Sequence, residues 1–142
     1  MRSTFFNATL IAFTSFSFIV SGCGGGAEGP ALGRVTGNVS FDDKPLEGAL
    51  VTFNPIAGGR GSSGITDSSG RYQLDYTYDQ AGAIRGEHEV RINSAAFSGE
   101  GAKDPILPPV YNSESQLKVN VKLGSNTFDF PLKSDGSSIA IK

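Results

Sequence analysis

An all-β fold is predicted for this chain: an antiparallel β-sandwich of about seven strands, of immunoglobulin-like type. Three observations predict it. From Arg34 to Leu132 apolar and polar residues alternate with a period of two in one short run after another, as in strands with one buried face. Clusters of Gly, Asp, Asn and Pro separate the runs, as turns do in sandwiches. No segment carries a convincing helical period.

The first strand is read from Val35, Gly37, Val39 and Phe41, which alternate with Arg34, Thr36, Asn38 and Ser40. Asp42-Asp43-Lys44-Pro45 makes a turn into a second strand, Ala49 to Phe53, which Pro55 closes. The loop Gly58-Gly59-Arg60-Gly61 leads to a short strand around Ser63–Thr66, and Asp67-Ser68-Ser69-Gly70 turns again. Tyr72, Leu74 and Tyr76 then share one face, opposite Arg71, Gln73 and Asp75. In the next strand His88, Val90 and Ile92 alternate with Glu87, Glu89 and Arg91. Leu117, Val119, Val121 and Leu123 repeat the pattern against Lys118, Asn120 and Lys122. Gly124-Ser125-Asn126 turns the chain into Phe128, Phe130 and Leu132. The long connection Ser94–Ser115, with Pro105, Pro108 and Pro109, is the exception to the short spacing. Loops of that length carry function, lie disordered or cover a sheet edge.

Ahead of the sandwich lies a different kind of sequence. Arg2 and the terminal amine form a thin positive region, followed by an apolar stretch from Ala8 to Val20. Even counted from Phe5, that stretch falls short of the roughly 20 residues that span a bilayer as a helix. A short apolar core followed by small residues reads as a secretory signal. Val20-Ser21-Gly22-Cys23 resembles the bacterial lipobox, an aliphatic residue and two small ones before a cysteine. That resemblance implies cleavage before Cys23 and acylation of its sulfur, palmitate-type chains included. Each buried methylene is worth about 0.8 kcal/mol, and one chain holds a membrane only reversibly, whereas two or three hold it stably. The alternatives are an ordinary signal cleaved near Ala27, or an uncleaved anchor.

The expected organisation is therefore a lipoprotein signal peptide over 1–22, a Gly-rich tether over 23–33, the sandwich over 34–133 and a tail over 134–142. The tether holds Gly24, Gly25, Gly26, Gly29 and Gly33, a composition that gives flexible linkers. Cys23 is the single cysteine, so no intrachain disulfide can form, and stability must come from an apolar core. The formal charge is −2, and loss of Arg2 with the signal makes it one unit more negative. That balance gives no basic field for nucleic acid.

The sandwich motifs resemble a known family. Gly37-x-Val39, Lys44-Pro45-Leu46-x-Gly48-Ala49-x-Val51-x-Phe53 and Thr66-Asp67-x-x-Gly70-x-Tyr72-x-Leu74 are similar to the carboxypeptidase regulatory-like domain, a transthyretin-like (prealbumin-like) sandwich. Gly86-x-His88-x-Val90-x-Ile92 fits its next strand. Leu107-Pro108-Pro109-Val110-Tyr111-Asn112 and Asn126-x-Phe128-x-Phe130-x-Leu132 resemble the C-terminal part of bacterial lipoproteins that carry this domain. The resemblance covers residues 34–133 and speaks to fold, since its motifs are turn glycines and core positions. Gly48 and Gly70 suit turns that need positive φ. Asp67 suits a turn capped by its own side chain, and Pro45 sets φ at a strand start.

Catalytic equipment is thin. His88 is the single histidine, and its neighbours Glu87 and Glu89 fall on the other face of a strand, so they cannot orient it. It reads as a partly buried histidine with one hydrogen bond. Zinc sites need more His and Cys than this chain has. The transthyretin-like hydrolases of purine breakdown use several histidines and a Tyr-Arg-Gly-Ser-type C-terminus, whereas this chain ends Ser138-Ile139-Ala140-Ile141-Lys142. Asp42, Asp43, Asp67, Asp75 and Asp79 read as turn aspartates and form no recognisable calcium loop. There is no Gly-x-Ser-x-Gly, and the Gly58–Gly64 stretch lacks the ending of a phosphate loop. For carbohydrate, the platform candidates are Tyr78 and Tyr111, in loops, with no tryptophan in the chain. Lys118, Lys122 and Lys133 are expected on outward faces, where lysines protect sheet edges.

The expectation is a lipid-anchored, extracytoplasmic sandwich on the cell membrane or outer membrane, held through Cys23, with no enzymatic activity, cofactor or metal. It serves as a structural or protein-interaction module of the cell envelope; the second reading is a module for envelope glycans or a small ligand.

Overall fold

The computed structural model describes residues 29–94, 107–137 and 141. The expected signal peptide and Cys23 lie outside the described residues, as does most of the tether.

The strands, in chain order, are β1 (Leu32–Phe41), β2 (Lys44–Pro45), β3 (Leu50–Pro55), β4 (Ser62–Ile65), β5 (Arg71–Gln73), β6 (Asp75–Thr77), β7 (Gln80–Ala81), β8 (Ala83–Ile84), β9 (Gly86–Asn93), β10 (Leu117–Val121), β11 (Gly124–Thr127) and β12 (Phe130–Leu132). They form two sheets packed as a sandwich, so the all-β class read from the alternation is what the structure shows. One sheet is ordered β10-β9-β3-β4-β6-β7. The other is built around β1, with β11 and β12 on one side and β2, β5 and β8 on the other.

Sheet membership departs from the sequence reading in three places. The C-terminal strands run parallel to β1, Gly33 pairing with Gly124 and Val39 with Phe130. Gly124-Ser125-Asn126, read from the sequence as a turn, lies in a strand, because the backbone of Gly124–Thr127 pairs with Gly33–Thr36. The run from Arg71 to Thr77, read as one strand, divides between sheets: β5 pairs with β1, whereas β6 pairs with β4. Leu74 sits at the crossover, fully buried. Its amide donates to the Val35 carbonyl at 3.0 Å, so the backbone remains satisfied as the chain changes partners.

The inward residues of the two sheets meet in one core. Val35 and Val39 of β1 and Phe130 and Leu132 of β12 face Val51, Phe53, Val90, Ile92 and Val121. Each such side chain contributes about 1.5–3 kcal/mol on burial. Phe53 stands at the centre, edge-on to Phe130 with ring centroids 6.3 Å apart. Leu123, expected to continue the inward face of β10, is exposed, because β10 ends at Val121 and the chain leaves for the other sheet.

Local chemistry accounts for the turns. Asp42 and Asp43 have φ of 47° and 66°, so the β1–β2 hairpin closes through two left-handed residues. Aspartate tolerates that region better than most side chains. Pro45 lies within that hairpin ladder, opposite Ser40, rather than ahead of it. β2 is an edge segment, where the missing N–H costs little. Gly70 has φ +75°, and a Cβ there would meet the Val39 carbonyl at 2.4 Å. Asp67 caps the same turn, accepting from the amides of Ser69 at 2.8 Å and Arg71 at 3.0 Å. The Arg71 amide, together with that of Ser69, holds its carboxyl below the ordinary value.

Candidate functional site

The residues singled out for chemistry separate into those the core absorbs and those left on the surface. His88 belongs to the first group. It lies on β9, inside the sandwich and fully buried, with its ring 5.8 Å from that of Phe53. Its Nδ1 is 3.0 Å from the Gly86 carbonyl. A carbonyl only accepts, so Nδ1 carries the proton and Nε2 holds the lone pair. Nε2 is buried without a hydrogen-bond partner among the described residues. Desolvation of the charged form therefore pushes the His88 pKa down, against the smaller opposing effect of the Gly86 carbonyl. A neutral imidazole sealed from solvent cannot serve a substrate at the surface. The one-hydrogen-bond histidine read from the sequence is thus found, more deeply buried than expected.

Ser62 Oγ is also buried and unpartnered among the described residues. It faces Phe53 across the β3–β4 pair, and with Ser62 only 2% exposed it too is out of reach of substrate.

Tyr111 was expected in a loop as a sugar platform. The structure corrects this: Tyr111 is 2% exposed. It ends a short 3-10 turn, Pro109–Tyr111, and its ring packs into the core while its hydroxyl reaches the backbone of Lys133 and Ser137. Loop position in the sequence said nothing of where the ring would go. Tyr72 is likewise buried, donating to the Phe128 carbonyl at 2.8 Å. Burial pushes its pKa up, with the Asp129 charge adding to the effect.

The aspartates are not brought together. Asp67 closes its own turn, and Asp79 accepts from Thr77 Oγ1 at 2.7 Å. Asp43 accepts from Lys133 Nζ at 2.7 Å, and Asp42 from the Ser134 amide at 3.0 Å. That Asp43 contact raises the Lys133 pKa. Among the described residues no group of three or more His, Cys, Asp or Glu is placed to hold a metal ion.

What remains on the surface is a groove of about 560 Å³ over β4 and β6, lined by Leu50, Arg60, Gly61, Ser63, Gly64, Ile65, Gln73, Asp75, Tyr76, Thr77 and Tyr78. Gly64 makes its floor. A Cβ there would lie 2.0 Å from the Gln73 carbonyl, so only glycine lets that backbone approach. Arg60, on the glycine-rich loop after β3, holds its guanidinium 6.0 Å from the centre of the Tyr76 ring, within cation–π range. Tyr78, in the β6–β7 turn, is wholly exposed. Of the two expected platform tyrosines, then, Tyr78 is presented to solvent. Tyr76 and Arg60 are additions that sequence reasoning missed; the signal was a tyrosine at the end of an alternating run, where the core face runs out.

A second hollow, of about 350 Å³, lies between the Pro109–Tyr111 turn and the start of β10. Its walls include Val110, Leu117, Gly136 and Ile141. Its tyrosine, Tyr111, is committed to holding the chain together.

No family model matches the chain, and no curated protein matches it. Among solved structures, a DUF3823 family protein from Bacteroides ovatus is similar over 71% of this chain and 44% of its own, at 12% identity and a TM-score of 0.45. A DUF3823 family protein from Parabacteroides merdae is similar over 74% of this chain and 46% of its own, at 11% identity and a TM-score of 0.40. The chain thus spans less than half the length of either structure. The class that the fold defines is an all-β sandwich with a tyrosine-bearing groove on one outer face.

Proposed function

We propose that this chain is an exported, lipid-anchored sandwich module of the cell envelope that works by holding or binding rather than by catalysis. One observation carries the second half of that reading: the single histidine is sealed in the core with its lone-pair nitrogen facing no solvent. The polar side chains that remain accessible are of the kind that binds. The first half rests on Val20-Ser21-Gly22-Cys23 and the glycines after it. A carboxypeptidase regulatory-like identity accords with the turn glycines, since Gly48 and Gly70 both adopt positive φ.

Intact mass of the membrane-extracted protein tests the anchor. The expected product lacks residues 1–22 and gains the mass of acyl chains, and Cys23→Ser abolishes that gain. A membrane-free protein beginning near Ala27 overturns the proposal.

A further inference from the structure

We propose that the groove over β4 and β6 binds a neutral pyranose sugar, stacked on Tyr78 and held at its hydroxyls by Asp75 and Arg60. The inference deepens the binding-module reading and rests on it.

The chain has four tyrosines and no tryptophan. Tyr72 and Tyr111 are built into the core with their hydroxyls bonded, whereas Tyr76 and Tyr78 both line the groove. A ring as exposed as that of Tyr78 has no packing role in the described fold. Leaving it in water sacrifices the burial that aromatic side chains usually contribute. It is useful to a ligand that presents an apolar face, as a pyranose presents its axial C–H bonds. The same sugar carries hydroxyls around its rim, each both donor and acceptor.

The groove supplies both kinds of partner. Arg60 donates only and ionised Asp75 accepts only, while the Gln73 amide and Ser63 hydroxyl do both. Arg60 and Asp75 also cancel in charge, and neither is ion-paired with a described residue. Lysines and arginines alone would select an anion, and carboxylates alone a cation. One of each suits a ligand without net charge that both donates and accepts, as sugar hydroxyls do. The volume falls within the range of small-ligand sites. Proline-rich peptides also dock on exposed aromatic rings, but a run of prolines has no N–H and so offers the Asp75 carboxylate no donor.

The test uses the full chain extracted from membranes in a sugar-free detergent, titrated with maltohexaose, cellohexaose and the hexaose of N-acetylglucosamine. Calorimetry gives the affinity. Tyrosine emission, undisturbed by tryptophan, reports on the site through the difference between the parent and Tyr78→Ala. Saturable binding of at least one hexaose is expected, weakened about three- to tenfold by Tyr78→Ala, since one aromatic contact is worth about that much. Asp75→Asn should weaken it comparably, Tyr78→Phe should keep it, and Tyr111→Phe should leave it unchanged. No saturable binding to any of the three, or binding indifferent to Tyr78→Ala, overturns the inference. So does binding of a proline decamer that is lost in Tyr78→Ala while the sugars fail. The lipid is read by mass on the same preparation. A lipidated protein that binds no sugar therefore sinks this inference and leaves the anchored module standing.

Discussion

Tyr111 and Lys133 are tied in both directions. The Tyr111 hydroxyl accepts from the Lys133 amide at 3.1 Å and lies 3.2 Å from the Lys133 carbonyl, with the Ser137 carbonyl at 3.1 Å. The hydroxyl has one proton, so the two carbonyls share it, while its lone pair satisfies the amide. This one side chain fastens the segment before β10 to the chain that follows β12. Tyr111→Phe keeps the buried ring and removes all three contacts. A loss of about 1 to 3 kcal/mol in unfolding free energy is expected, measured by denaturant titration with an unchanged slope. A variant as stable as the parent would show the hydroxyl to be incidental.

Thr66 plays a similar part under the second turn. Its Oγ1 accepts from the Ala49 amide at 2.8 Å and donates to the Leu46 carbonyl at 2.5 Å, and the residue is buried. Thr66→Val conserves shape and strands both backbone groups. Each unpaired buried group costs about 1–3 kcal/mol, so the variant should lose about 2 to 6 kcal/mol. Thr66→Ser, which restores the hydroxyl, should recover most of that loss.

His88 gives the fold a pH dependence with a defined sign. Burial lowers its folded value below the ordinary 6.5. As pH falls below 6.5 the unfolded chain takes up a proton that the folded chain refuses, so stability declines until the folded value is passed. The slope can reach about 1.4 kcal/mol per pH unit. Asp67 and Asp135, lowered from 3.8 chiefly by backbone amides of Arg71 and Ser137, lose their contributions only below that value. The windows are therefore separate. Unfolding followed from about pH 7.5 to 4.5 should show the decline in the parent, and it should flatten in His88→Leu; an equal decline in both would exclude His88 as its source.

Gly37 of β1 leaves no room for a side chain. It sits in the strand interior, and a Cβ there would lie 1.9 Å from the Phe128 carbonyl oxygen and 2.9 Å from the Tyr72 ring. That same carbonyl accepts the Tyr72 hydroxyl. Gly37→Ala must push apart the close approach of β1 to Phe128, and overpacking of this kind costs about 1–3 kcal/mol or more. A large fall in melting temperature is expected, whereas Gly48→Ala, with open space around its Cβ, should suffer only from its positive φ.

Much of the sandwich was legible along the chain. Val35 and Val39, Val51 and Phe53, and Val90 and Ile92 are all buried where the alternation put them. Asp67, Gly48 and Gly70 do in their turns what their residue types suggested. Half of the candidate groove was legible too: Tyr78 is exposed as expected, but Arg60 and Tyr76 come together only because the β3–β4 loop folds back towards β6. Tyr111 was misplaced for the same kind of reason. Its hydroxyl partners lie 22 and 26 residues further on, beyond the reach of any local pattern.

The sequence by itself determined which faces of most strands are buried and where most of the turns fall, Leu123 and the stretch from Gly124 being the exceptions. Side-chain direction in a strand alternates with the backbone pleat, and turn conformation depends on the residues within the turn. It likewise carries the motif at Cys23 on which the proposed anchor rests. Only the tertiary structure decided which strands become neighbours: the parallel pairing of β1 with β11 and β12, the division of residues 71–77 between two sheets, and the sealing of Tyr111 in the core. Those outcomes depend on hydrogen bonds and packing between residues far apart in the chain, and two strands of like alternation can pair in more than one order until a shared core selects one.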